Sequence, residues 1–302
     1  MFYRLRDRLR RRQFASQCRD ILETPPVALS NESNLAVLSQ LQNKDVLMFL
    51  LALKSFAREV PVGQVYLLND GSLTPEDIAL LRKHVPKPVF FELKDFQGSS
   101  CPRRGCWERL LAIAELVKKH YVIQLDSDTL TVGAMPELIE NVRQGIAFSI
   151  GTWDNQEIET MNERCATAKS RNPGPDSHVQ LVAEAHFDKL KAFDSLRYVR
   201  GCAGFAGFPQ DSFRRDFVEE ISSEMYAAIG SKWDEWGSEQ VMSNIVVANI
   251  ASSKVLPHPK YSDCLKMKLP QTAFIHFIGS CRFMHGTYAT LGRRVITNIG
   301  FE

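Results

Sequence analysis

Val122-Ile123-Gln124-Leu125-Asp126-Ser127-Asp128-Thr129 is the stretch on which the reading of this chain turns. An apolar run leads directly into two aspartates separated by one residue. Side chains alternate faces along a strand, so both carboxylates point to one side at the strand's end. Two like charges that close call for a cation. Oxygen ligands select a hard ion such as Mn²⁺ or Mg²⁺. Such an ion can bridge to a diphosphate and neutralise its charge as it leaves. Asp-x-Asp alone is also an ordinary turn or capping pattern, so the surroundings decide.

Outward from this stretch, strands and helices alternate. Residues 34–41, 64–69, 88–92 and 121–125 read as strands. Between them Asp45 opens a helix to about residue 58, Thr74-Pro75-Glu76-Asp77 opens another with proline in its first turn, and 107–118 is amphipathic. This order predicts an α/β fold with a mostly parallel sheet covered by helices, binding ligands beyond the carboxyl ends of its strands. Residues 152–195 are polar and aperiodic and read as an excursion or small subdomain over one sheet end. A strand at 196–199, a glycine-rich turn at 201–208 and helices at 211–229 and 237–251 follow. The domain reading is an extension at 1–26 and one α/β domain at 27–302. There is no GxGxxG, no GxxxxGK[ST] and no internal repeat.

Composition narrows the class. With 302 residues, 44% hydrophobic and 24% charged, the chain is not disordered, collagen-like or a coiled coil. Its longest apolar run, residues 46–53, is far shorter than the roughly 20 residues a membrane helix needs. The net charge of +2 hides six arginines against one aspartate in residues 1–12, which leaves the remainder at −3. An acidic body argues against nucleic acid as partner. Seven irregularly spaced cysteines without a CxxC read as reduced thiols in a cytoplasmic protein. Residues 1–24 read as a basic amphipathic helix, with Phe2, Leu5 and Leu9, then Cys18, Ile21 and Leu22, at helical spacing. Two readings stand: peripheral contact with an anionic membrane at its inner face, or packing of the apolar stripe on the chain's own domain.

A second cluster is Phe274-Ile275-His276-Phe277-Ile278-Gly279-Ser280-Cys281-Arg282-Phe283. His276 sits in an apolar strand, where a histidine is commonly just a core residue. Here Gly279 permits close backbone approach and Arg282 pairs with phosphate. Metal ligand, close approach and phosphate clamp thus lie within seven residues.

In their order and spacing these motifs resemble the GT-A glycosyltransferases, in particular the retaining glycogenin-like and lipopolysaccharide galactosyltransferase-like group (glycosyltransferase family 8 and relatives). That group has an Arg-Leu helix, a strand ending in Asp-x-Asp and a later His-Phe-x-Gly-x-x-Lys. Here these are Arg109-Leu110, Asp126-Ser127-Asp128 and His276 to Arg282, and the resemblance covers roughly residues 33–285. Arg282 replaces the lysine, Phe283-Met284 replaces a Pro-Trp, and the strand at 37–41 lacks an acidic residue, which fits a diverged bacterial-type branch.

The resemblance implies a Rossmann-like α/β/α GT-A sandwich and metal-dependent transfer of a hexosyl group. The donor would be a nucleotide-diphosphate sugar, with a UDP-sugar the first expectation, and the acceptor a carbohydrate or glycoconjugate. Asp126, Asp128 and His276 would hold the metal, imidazole favouring Mn²⁺. Arg109, Asp126, Gly204, Gly279 and Arg282 would bind the donor, Gly204 lying in a segment similar to the family's Gly-Phe segment. Trp236-Gly237-Ser238-Glu239-Gln240 is similar to the family's acidic-Gln pair, which would make Glu239 and Gln240 catalytic. The structural alternative is a helix start capped by Ser238, with Glu239 on the dipole. Trp233 and Trp236 fit a sugar platform or the core equally. Two other functions compete. A nucleotidyltransferase would carry a glycine-rich loop after the first strand, where Gln42-Asn43-Lys44-Asp45 stands. A non-catalytic sugar-binding protein on a degenerate GT-A fold has no need of Asp126, Asp128 and His276 together.

Overall fold

The computed structural model describes residues 2–300, the side chains of residues 2–7 and of Ser280 excepted. The Phe2 and Leu5 part of the expected apolar stripe lies outside the described side chains. The chain is α/β with a large, mostly parallel central sheet. It divides into two compact units, residues 1–91, 125–139 and 259–302 forming one and 92–124 and 140–258 the other.

The first unit begins with α1 (Phe2–Gln17) and a 3-10 turn, Arg19–Glu23. Strand β1 (Leu35–Leu41) is almost wholly buried and leads into α2 (Val46–Glu59). Asp45 stands at the helix N-cap, yet its carboxylate makes no cap bond. It accepts instead from Arg11 of α1 at 2.7 Å. Strand β2 (Gln64–Asn69) pairs parallel with β1 in the register Ala36↔Gln64 to Leu41↔Asn69. Helix α3 (Pro75–His84) starts at a capping box between Thr74 and Asp77, with proline in its first turn. Strand β3 (Val89–Glu92) lies beyond β2.

In the second unit, α4 (Trp107–Leu116) precedes β4 (Tyr121–Leu125), whose five residues are all buried. The chain then returns to the first unit for β5 (Thr129–Thr131) and α5 (Pro136–Arg143), whose last turn crosses the unit boundary. The second unit resumes with β6 (Phe148–Ile150). The segment expected to be irregular holds β7 (Glu159–Thr160), α6 (Met161–Ser170) and α7 (Val179–Ala185). Its polar composition hid these helices, because α6 is capped by Thr160 and Glu163 and buries few apolar residues. Strand β8 (Arg197–Tyr198) pairs antiparallel with β7. The glycine-rich stretch is a strand and not a turn: β9 (Cys202–Phe208) runs antiparallel to β6. Gly207 is required there, since a Cβ would sit 2.2 Å from the Phe148 ring. Helices α8 (Arg215–Ile229) and α9 (Ser238–Asn249) and strand β10 (Lys254–Leu256) complete the unit, with strands in the order β10-β6-β9-β4. The first unit closes with β11 (Tyr261–Asp263), β12 (Phe274–His276) and α10 (Thr287–Gly300), β12 lying between β11 and β5.

The N-terminal segment packs on its own unit. Phe14 meets the Tyr288 ring at 4.4 Å, and Cys18 and Ile21 are fully buried. Lys54 of α2 reaches up from the core to bond the Thr24 hydroxyl at 2.7 Å, the carbonyls of Thr24 and Pro25, and His84 Nδ1 at 3.1 Å. Burial lowers the Lys54 pKa to about 8. Burial and the Lys54 and Lys83 charges lower that of His84 to about 4, so its imidazole accepts from the lysine as a neutral ring. Between pH 6.5 and 4 the unfolded chain therefore binds the proton that folded His84 refuses, and stability falls as pH falls. Urea unfolding across that window should show a steeper acid loss in the wild type than in His84→Gln. Parallel curves would refute this account of the cluster.

Candidate active site

The site in the first unit is set by two strands. Strand β12 runs antiparallel to β5 in the register Phe274↔Thr131, Ile275↔Leu130, His276↔Thr129. The Phe277 N–H donates to the Asp128 carbonyl at 2.8 Å. His276 Nε2 thereby lies 3.2 Å from Asp128 Oδ1 and 3.9 Å from Asp126 Oδ2. One ligand atom from each of Asp126, Asp128 and His276 lies within 4.8 Å of the others. Arg282 donates through its terminal nitrogen to the other Asp128 oxygen and through Nε to the Phe277 carbonyl at 3.1 Å. Gly279 has φ +39°, a left-handed conformation that favours glycine, and nothing would meet a Cβ there.

Asp128 is 6% exposed. Burial alone would raise its pKa, but the His276 and Arg282 charges and the His276 hydrogen bond outweigh burial and hold it down at about 2. Its carboxylate is therefore ionised and compensated from both oxygens. Asp126 is half-buried and more open than its neighbour. Two carboxylates and an imidazole converging at a strand end suit a divalent cation that retains open coordination positions. Behind the site the Phe277 ring stacks on Tyr288 at 4.0 Å.

In the second unit, Arg109 and Glu239 come together, Arg109 NH2 lying 3.3 Å from Glu239 Oε2 with side chains 5% and 4% exposed. Gln240 is half-buried beside them in sequence and Gly204 is buried in β9. Ser238 does not cap α9; Gly237 holds the N-cap at φ +108°, and the Ser238 hydroxyl accepts from Trp107 Nε1 at 2.9 Å. The two tryptophans do not form a platform. Trp233 is fully buried against Trp107, while Trp236 is 75% exposed. Asn244 donates to the Gly201 carbonyl at 3.2 Å.

Two features escaped the sequence reading. Cys264 and Cys281 form a disulfide, their Cα atoms 6.2 Å apart, which corrects the expectation of reduced thiols throughout. The end of β11 and the turn after Ile278 bring them together, a juxtaposition invisible in irregular cysteine spacing. The Arg109–Glu239 pair was equally hidden, because its partners are 130 residues apart.

No family model matches this sequence, and no curated protein matches it. Solved structures do match. An active-site variant of LgtC superposes with a TM-score of 0.50 at 12% identity, over 87% of this chain and 95% of that one. The glycosyltransferase GlyE of Streptococcus pneumoniae TIGR4 superposes with a TM-score of 0.50 at 14% identity, over 89% of this chain. The chain has the GT-A fold. The bifunctional WbbM covers 92% of this chain at 12% identity and a TM-score of 0.49. The chain spans 53% of WbbM and 63% of GlyE. At these identities the likeness is one of GT-A architecture.

Removing one partner of a buried ion pair strands the other, at a cost of about 3–5 kcal/mol. This replaces the ~0.3–1 kcal/mol of a first-turn glutamate on a helix dipole. Glu239→Ala and Arg109→Ala should each lower unfolding stability by the larger amount, with the double replacement well short of their sum. Chemical denaturation of the double-mutant cycle measures this. Single costs below about 1 kcal/mol would show the pair to be idle.

Proposed function

We propose that the protein is a metal-dependent glycosyltransferase that moves a hexosyl group from a nucleotide-diphosphate sugar to a carbohydrate or glycoconjugate acceptor. The observation that carries this is the convergence of Asp126, Asp128 and His276 at a strand end of a GT-A fold. These three residues would hold Mn²⁺ or Mg²⁺, and the imidazole favours Mn²⁺. Bound there, the ion supplies positive charge to the leaving diphosphate. Asp126 would also meet the donor, Arg282 would clamp the diphosphate, and Gly279 keeps the backbone beside Arg282 clear of any side chain.

In the second unit, Arg109, Gly204, Glu239 and Gln240 are the proposed donor-binding and reacting residues. The burial and pairing of Glu239 support a role in holding charge, and the half-buried Gln240 offers an accessible amide. A retaining outcome and a UDP-sugar donor are parts of the same proposal, supported by the resemblance to family 8. Peripheral contact with an anionic membrane is a further part. No helix among the described residues is long and apolar enough to cross a membrane. The Cys264–Cys281 bond weighs against a reducing cytoplasm as the protein's location.

The test is release of nucleoside diphosphate from a panel of nucleotide sugars, with and without Mn²⁺. Release should need the ion, stop with chelator, and fall about a hundredfold or more in Asp128→Asn, equivalent to ~2.7 kcal/mol. Turnover indifferent to chelator and to that substitution would remove the proposal.

A further inference from the structure

We propose that the first unit docks on an anionic lipid bilayer through the loop at residues 264–271 and the adjoining edge of α10. The proposal rests on the membrane contact proposed above, for which it names the surface, and not on the glycosyltransferase reading. The loop reads Cys264-Leu265-Lys266-Met267-Lys268-Leu269-Pro270-Gln271. Leu265 is 67% exposed and Leu269 49% exposed, and Lys266 and Lys268 are exposed between them.

The loop cannot fold back to hide these leucines, because it is pinned along its length. Asp263 Oδ1 accepts from the N–H groups of Leu265 at 2.7 Å and Lys266 at 3.1 Å. Thr272 Oγ1 accepts from the Lys268 N–H at 2.9 Å and donates to the Pro259 carbonyl at 2.8 Å. Cys264 is bonded to Cys281. Two leucines fixed in water beside two lysines make a costly surface unless something apolar and negatively charged covers it.

Charge identifies the cover. Residues 264–300 contain Lys266, Lys268, Arg282, Arg293 and Arg294 and no acidic residue; Arg282 is turned to Asp128, and Lys266 lies 3.8 Å from the Asp263 carboxylate. Arg293 and Arg294 are exposed on α10. Arg294 lines, with Leu269, Pro270, Leu291 and Val295, a recess of about 270 Å³ that combines an apolar wall with a cation. Arg293 lies close enough to Cys18 to act on its pKa, so α10 brings its arginines beside the end of the arginine-rich α1. Phe14, Cys18 and Ile21 are used inside the unit, while on α1 Leu9 is 57% exposed and Arg8 and Arg12 are exposed with it. A protein interface of comparable strength would be expected to offer an aromatic anchor, and this surface has leucines and exposed cations instead, the composition that seats at a lipid headgroup boundary.

The experiment is co-sedimentation of the full chain with vesicles of phosphatidylcholine, alone or mixed with phosphatidylglycerol. Partition onto the mixed vesicles only, weakened by salt, is expected. Lys266→Gln with Lys268→Gln should weaken it about tenfold or more, from ~1 kcal/mol per basic residue. Leu265→Ser with Leu269→Ser should weaken it while leaving its salt dependence, and melting temperatures should stay at the wild-type value because all four side chains are exposed. Absence of wild-type binding, equal binding to neutral vesicles, or wild-type binding by both double variants would overturn the proposal.

Discussion

The pairing of β12 against β5 is the constraint on which the rest of the first unit depends. It brings His276 to an aspartate 148 residues earlier in the chain, and it does so by backbone bonds that also bury Asp128. A buried carboxylate is tolerable only when its charge is met. A slip of β12 by one residue would turn His276 to the opposite face and leave Asp128 stranded. Register and electrostatics therefore enforce each other. The stack of Phe277 on Tyr288, and the tilted contact of Tyr288 with Phe14, extend this dependence to α10 and α1.

The identity of residue 282 follows from the same constraint. Where the resembled group has lysine, this chain has an arginine that bonds the Phe277 carbonyl through Nε while a terminal nitrogen meets Asp128. A lysine offers one point of charge and cannot make both bonds from fixed, planar directions. The substitution that looks conservative in the sequence is a different device in three dimensions. It ties the turn holding Gly279 to the Asp128 carboxylate.

Much of this was legible beforehand where local rules and global fold agree. The strands at 35–41, 64–69 and 121–125 announced themselves by apolar runs bounded by turn residues, and α3 by its capping box. That Asp126 and Asp128 follow a buried strand was legible from the apolar run before them, whereas their meeting with His276 depends on the pairing of β12 with β5. What failed were positions whose meaning depends on distant partners. The segment at 201–208 looked like a turn because glycine usually is one, yet Gly207 is there to admit the Phe148 ring. Ser238 looked like a helix cap, but its hydroxyl serves Trp107. Asp45 looked like one too, but its carboxylate serves Arg11. Cysteine spacing carried no hint of the Cys264–Cys281 bond, since the strand pairing that brings the two together is a tertiary event.

The first unit is assembled from three separate stretches of chain, with most of the second unit inserted between the aspartates and the histidine. This has a consequence for synthesis. Domains fold as the chain emerges from the ribosome, amino end first. When Asp126 and Asp128 appear, β12 has yet to be translated, and non-local strand pairing of this kind is slow to close. A nascent chain at that stage carries two hydrated aspartates with neither imidazole nor guanidinium beside them. The cluster of Asp126, Asp128 and His276 is thus among the last features to form, and a growing polypeptide that pauses before residue 276 holds the two aspartates without their histidine.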